Sequence, residues 1–142
     1  MFKKLKKIEK IKRLEQDITS LRGMKILLTE DKEINQMILL GLLEKSGIKV
    51  DIANNGKEAV AKYHQQHYKL ILMDIEMPIM DGYEATTLIR EQDKDIPIIA
   101  LSANGTKEDI KKTKGVGVNE YLHKPIEVEK LYETFLKYMD AN

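Results

Sequence analysis

From Met24 onward the chain alternates short apolar runs with amphipathic stretches, five times over, and this alternation restricts the fold more than any other feature. The runs are Lys25-Ile26-Leu27-Leu28-Thr29, Ile48-Lys49-Val50-Asp51-Ile52-Ala53, Lys69-Leu70-Ile71-Leu72-Met73, residues 96–101 and Glu120-Tyr121-Leu122. Helical spacing marks 33–45, 56–67, 83–90 and 107–113, and a last stretch sets Val128, Leu131 and Phe135 on one face. When helices form every crossover, the strands they join must run parallel. The runs at 26–28, 70–73 and 98–101 lack polar alternation, as strands covered on both faces require. The expected fold class is therefore α/β, a doubly wound five-stranded parallel sheet. Asn55 with Glu58 three residues on reads as a helix-start pair. Lys114-Gly115-Val116-Gly117-Val118 places two glycines near a helix end, each costing roughly 1 kcal/mol inside a helix, so a short or frayed helix is expected there.

A segment of different character precedes this pattern. Residues 1–22 carry eight basic and three acidic side chains, a net +5, which leaves −4 for the remainder. Phe2, Leu5, Ile8, Ile11, Leu14, Ile18 and Leu21 recur every three or four residues and so share one helical stripe. A lone stripe cannot bury itself and needs a partner. It reads as a surface or linker helix packed on the domain, or on a second copy to give a homodimer through 1–22. A coiled-coil remnant of a longer signalling protein and a membrane-surface helix are the alternatives. Arg22-Gly23 is the expected stop. The chain thus divides into 1–23, a basic amphipathic helix or linker, and 24–142, the α/β domain.

Composition narrows the function. A length of 142 residues suffices for one buried core. Lys and Arg number 24 against 23 Asp and Glu, a net +1 that gives no reason to expect nucleic-acid binding. The absence of cysteine excludes disulfides, thiolate metal sites and cysteine nucleophiles. No stretch approaches the roughly 20 apolar residues of a membrane span, and the basic N-terminus lacks the continuous apolar core of a signal peptide. A cytoplasmic location is expected.

In an open α/β sheet the functional crevice lies at the carboxyl ends of the strands. The sequence sets Glu30 and Asp31, Asp74, Ser102 and Lys124 at four such ends. Three close carboxylates repel, and one must stay protonated unless a cation joins them. A hard oxygen cluster without His or Cys favours Mg²⁺. A single Asp at a strand end is usually a helix cap; five polar groups at four ends make a site.

Four motifs then carry a resemblance: Leu28-Thr29-Glu30-Asp31, the run from Leu72-Met73-Asp74 through Met77-Pro78 to Asp81-Gly82, Ala100-Leu101-Ser102-Ala103, and Tyr121-Leu122-His123-Lys124-Pro125. Asp31, Asp74, Ser102 and Lys124 follow one another at 43, 28 and 22 residues. Over 24–140 the chain resembles a response-regulator receiver domain of two-component signalling. Around Asn35-Gln36 and from Asn54 to Ala59 it is similar to receivers of hybrid histidine kinases, so the domain is expected either free-standing or within such a kinase, itself membrane-attached or not.

The resemblance implies a flavodoxin-like sheet of order 2-1-3-4-5 with an extra N-terminal helix. It implies that Asp74 is the phosphoacceptor for a phosphohistidine on a histidine kinase or histidine phosphotransfer domain. Glu30, Asp31, Asp74 and the main-chain carbonyl of Glu76 would hold Mg²⁺. Lys124 and the Ser102 hydroxyl would bind phosphoryl oxygens, Ser102 and Tyr121 would move as the switch, and the peptide before Pro125 would be cis. Glu76 and Asn104 stand where the family varies phosphoryl lifetime, an acid at 76 either repelling or orienting the attacking water. These roles agree with elementary chemistry, because a carboxylate attacks an anionic phosphoryl group only where placed positive charge cancels their repulsion. Lys32 stands where related receivers often have Asn, and is expected to face solvent.

Only 18 residues follow Lys124, room for one helix but no effector domain. Output is expected through a downstream protein or onward phosphoryl transfer, and the chain is expected not to be an enzyme beyond its own phosphorylation and slow dephosphorylation. The alternative is a pseudo-receiver, a scaffold that binds partners without phosphorylation, although a scaffold has no need of clustered like charge. A Mg²⁺ phosphohydrolase would carry a second Asp two residues after Asp74, where Glu76 stands. A flavin carrier would need a Ser/Thr-rich loop after the first strand.

Overall fold

The computed structural model describes residues 1–139. Its centre is set by strands that are buried almost throughout: β1 (Lys25–Thr29), β3 (Leu70–Asp74) and β4 (Ile98–Ser102), with β2 (Lys49–Ala53) and β5 (Glu120–His123) at the edges. All pairs are parallel, in the order β2-β1-β3-β4-β5. The helices are α1 (Phe2–Ile18, extended by a 3-10 turn Thr19–Leu21), α2 (Glu33–Leu43), α3 (Gly56–Gln65), α4 (Gly82–Gln92), α5 (Lys107–Gly115) and α6 (Val128–Tyr138). The sheet and the N-terminal helix are those expected.

Strand side chains alternate between faces, so each central strand feeds two separate cores. Ile26, Leu28, Leu70, Leu72, Ile99 and Leu101 pack with Leu39 and Leu43 of α2 and Leu131 and Phe135 of α6. Leu27, Ile71, Met73, Ile98 and Ala100 face the other way, onto Ala59 of α3 and Ala85 and Ile89 of α4. The register aligns Thr29 with Ala53 and Met73, Asp74 with Leu101, and Ser102 with His123, so the strands stop along one common edge.

The N-terminal stripe is buried progressively. Phe2, Leu5 and Ile8 are exposed, Leu14 is half-buried, and Ile18 and Leu21 are fully enclosed in the α2/α6 core. Lys10 Nζ reaches Glu129 at 2.8 Å and Glu133 at 3.0 Å on α6. Such exposed ion pairs add little; burying Ile18 and Leu21 contributes about 1.5–3 kcal/mol each. The α-helix passes at Ile18 into the 3-10 turn Thr19–Leu21, which Arg22 caps, and Gly23 turns the chain with φ +85°, the stop expected. The last three residues of the unit assigned to 24–142 lie outside the described residues.

Several boundaries differ from the sequence expectation. β4 begins at Ile98 rather than Ile96, because Pro97 has no N–H to enter a ladder; the Ile98 N–H is taken by Asn119 Oδ1 at 2.8 Å. α3 stops at Gln65 instead of His67. α5 is short, as expected, but it is not frayed: Gly115 is its last residue and Gly117 closes it. Gly117, at φ +104°, donates to Lys114 O, and Val118 N donates to Thr113 O, which together satisfy the last carbonyls. The Asn55 side chain accepts from Glu58 N at 2.9 Å, the capping expected.

Candidate functional site

Strand parity decides which expected residues meet. Glu30 follows Ile26 and Leu28, Asp74 follows Leu70 and Leu72, and Lys124 follows Leu122, so all three continue the α2/α6 side of the sheet. Ser102 and Tyr121 alternate with Leu101 and Leu122 and continue the α3/α4 side. Carboxylate oxygens of Glu30, Asp31 and Asp74 lie within 4.8 Å of one another. Lys124 Nζ sits 3.0 Å from Glu30 Oε2 and 3.4 Å from Asp74 Oδ1.

Two of the carboxylates are buried, Glu30 at 0% and Asp74 at 2% exposed. Burial, reinforced by the neighbouring Glu30 carboxylate, pushes Asp74 up to about 7, and Lys124 only partly restrains the rise. Burial acts upward on Glu30 too, but hydrogen bonds from Asp74, Asn35 and Lys124 outweigh it and hold Glu30 below the ordinary range. Burial likewise lowers Lys124, and its two acidic neighbours more than compensate. One lysine against three carboxylates leaves the pocket with uncompensated negative charge. Asp31 Oδ1 is buried with no hydrogen-bond partner among the described residues. An all-oxygen set with a free buried lone pair suits a hard divalent cation.

Backbone placement supports this geometry. Gly82 begins α4 directly under Asp74; a Cβ there would lie 2.4 Å from the Asp74 carbonyl oxygen, so only glycine admits the approach. Gly82 N donates to Ile75 O at 3.1 Å, and Glu76 N donates to Asp74 Oδ1 at 3.2 Å. The Lys124–Pro125 peptide is cis. Lys32 is exposed, and its main-chain N–H, not its ammonium, approaches Glu30 at 3.3 Å.

The sequence reading missed the amides that orient Glu30. Asn35 Nδ2 donates to Glu30 Oε1 at 3.0 Å. Gln36, buried, donates to the Glu30 carbonyl at 2.6 Å and to Asn54 Oδ1 at 2.9 Å. Their signal was two amides in the first turn after the acidic pair, at positions noticed only as family wording. Beyond the acid pocket, Ser102 is buried, and its Oγ donates to Glu76 Oε1 at 2.6 Å. Asn104 Nδ2 donates to the same oxygen at 3.0 Å. Tyr121 is half-buried against the α3/α4 core, and its hydroxyl lacks a partner among the described residues.

Comparison with known proteins agrees with this arrangement. The family model for the response regulator receiver domain matches residues 26–136. Hybrid signal transduction histidine kinase B of Dictyostelium discoideum is 41% identical over 144 residues, covering 92% of this chain and 7% of that protein. The chain thus spans less than a tenth of the length of the first curated relatives it matches. The receiver domain of a Pseudomonas aeruginosa sensor histidine kinase, solved with magnesium coordinated in its active-site cleft, is 37% identical with TM-score 0.77, covering 82% of this chain and 97% of that one. A Saccharomyces cerevisiae receiver domain, solved with its histidine phosphotransfer protein, is 32% identical with TM-score 0.78, covering 83% and 90%. The pocket geometry, the sheet order and the matched sequence converge: the chain belongs to the response regulator receiver domains of two-component signalling.

Proposed function

We propose that the chain accepts a phosphoryl group from a phosphohistidine onto Asp74 and passes the signal on by protein contact or onward transfer. The observation that carries this reading is the placement of Lys124 Nζ 3.4 Å from a buried Asp74 that shares its pocket with two further carboxylates. Asp74 forms the new bond to phosphorus while the phosphorus–imidazole bond breaks, and the departing imidazole takes up a proton. Lys124 stabilises the charge on the phosphoryl oxygens, and the burial of Asp74 and Glu30 strengthens that attraction. Glu30, Asp31 and Asp74, with the Glu76 main-chain carbonyl, would hold Mg²⁺, which when bound supplies further positive charge to the phosphoryl oxygens. The orphaned Asp31 oxygen and the magnesium-bound relative support that assignment. Residues 24–142 would form the receiver proper, with 1–23 a helix docked on it.

The donor's docking surface would be α2, where Ile34, Met37 and Ile38 are exposed beside the Lys124-Pro125-Ile126 segment. An apolar helix face at the mouth of the pocket suits a helical bundle presenting its histidine, and the yeast receiver's complex with a histidine phosphotransfer protein favours the same class of partner. Among the described residues no helix is long and apolar enough to cross a membrane.

Incubation with acetyl phosphate and Mg²⁺, read by intact mass, tests the reading. Wild type should gain one phosphoryl group and Asp74→Asn none. No uptake by wild type from acetyl phosphate or from a phosphorylated histidine phosphotransfer protein would leave the pseudo-receiver scaffold as the surviving account.

A further inference from the structure

Glu76 is exposed, yet its carboxylate closes a ring of hydrogen bonds over the buried Ser102 hydroxyl. Ser102 Oγ has one proton to give. It lies 2.6 Å from Glu76 Oε1 and 3.3 Å from Asn104 O, and the shorter contact, to the carboxylate oxygen, takes that proton. Asn104 completes the ring from both its donors, the main-chain N–H to Ser102 Oγ at 3.0 Å and Nδ2 to Glu76 Oε1 at 3.0 Å. The carboxylate therefore ties the end of β4 to the loop after β3 and holds the Asn104 segment with it.

We propose that Glu76 is a positioning residue that latches the switch in its unphosphorylated state by occupying the Ser102 proton that a phosphoryl oxygen would otherwise receive. The inference rests on the phosphoacceptor reading of Asp74 and adds a regulatory element to it. One hydroxyl cannot donate to both acceptors, so phosphoryl binding must break the 2.6 Å bond. The incoming anion also repels the Glu76 carboxylate, which pushes the latch open as the new acceptor arrives. Asn104 stands to release with Glu76, because both its contacts are to the same pair. Tyr121, on the same face of the sheet as Ser102 and with its hydroxyl unpartnered among the described residues, is the side chain free to follow.

A latch and simple charge repulsion both predict that removing the carboxylate helps an anion bind, and a double-mutant cycle separates them. Beryllofluoride with Mg²⁺ is the probe, titrated into wild type, Glu76→Ala, Ser102→Ala and the double variant. A hydrogen bond to a charged acceptor corresponds to roughly a tenfold change in an equilibrium. Glu76→Ala should tighten binding about tenfold in the Ser102 background and much less, about twofold or under, in the Ser102→Ala background. Glu76→Gln, which keeps an acceptor but not the charge, should fall between. With no probe present, the Ser102 and Tyr121 NMR signals of Glu76→Ala should move toward their positions in beryllofluoride-bound wild type. Equal tightening in both backgrounds, or unmoved Tyr121 signals, would overturn the latch while leaving the phosphoacceptor reading intact. Failure of wild type to bind the probe would overturn the phosphoacceptor reading and the latch with it. Glu76 is exposed and Ser102 is buried, so a urea melt of each variant accompanies the titration, and the cycle is read on variants that fold as wild type does.

Discussion

Asp74→Asn should make the metal-free protein more stable, and the reason is the carboxylate crowding that makes the site useful. Asp74 lies at about 7 in the folded state against 3.8 for the free side chain. The sign follows from proton counts: between those values the folded chain holds a proton that the unfolded chain has lost. The Asp74 contribution is thus fully present below about pH 4 and is lost as pH rises through about 7. At 1.36 kcal/mol per pH unit the loss has an upper bound of about 4 kcal/mol. Glu30, held low, works in the opposite direction and removes part of it. Asparagine is neutral and can donate to Glu30 as protonated Asp74 does, so the expected gain is about 2 kcal/mol at pH 8 in chelator. For a domain of this size that is about 6–8 °C in Tm. At pH 4 the two proteins should unfold together. Mg²⁺ at a hundredfold excess over its Kd should return about 2.7 kcal/mol to wild type and much less to the variant. Urea melts at pH 4 and 8, with chelator and with Mg²⁺, measure all of this. A variant that is less stable than wild type in chelator at pH 8, or an advantage that persists unchanged at pH 4, would refute the reasoning.

Other outcomes follow from packing. Gly82→Ala forces a Cβ to within 2.4 Å of the Asp74 carbonyl, and should cost about 2 kcal/mol or more and slow acetyl phosphate labelling of Asp74, as urea melts and intact mass would register. Leu21→Ala should cost about 2–4 kcal/mol, since Leu21 is 1% exposed. Deleting 1–9 removes the exposed Phe2, Leu5 and Ile8 and should leave the melt nearly unchanged, whereas deleting 1–22 also removes Ile18 and should destabilise the domain strongly; sedimentation of both truncations would report any dimer held by the segment. Tyr121→Ala should leave phosphoryl uptake nearly intact while reducing the difference in partner binding between phosphorylated and unphosphorylated protein, measurable by titration calorimetry.

The order of the strands' apolar runs and the polar residues at their ends were legible because both obey short rules: period two inside a strand, and a crevice where strands stop. Asp74 and Lys124 are 50 residues apart in sequence, yet the edge they share follows from topology. Less was visible where geometry depends on loops. Ile79, a β-branched residue at φ +71°, sits in the loop after β3, and nothing in its type announces a left-handed backbone. Glycines 115 and 117 read as a weakness because propensity counts each alone, whereas the cap uses the second at positive φ to finish the helix. The Glu76–Ser102–Asn104 ring joins two loops whose meeting no periodicity encodes.

The alternation of side chains along the sheet has a consequence for traffic through the domain. Glu30, Asp74 and Lys124 lean toward α2, where the donor is proposed to dock, while Ser102 and Tyr121 lie on the α3/α4 face. On the proposed reading, a donor at α2 and a target that senses Ser102 and Tyr121 would approach from opposite faces of one layer of strands, so the two would not compete for a single surface.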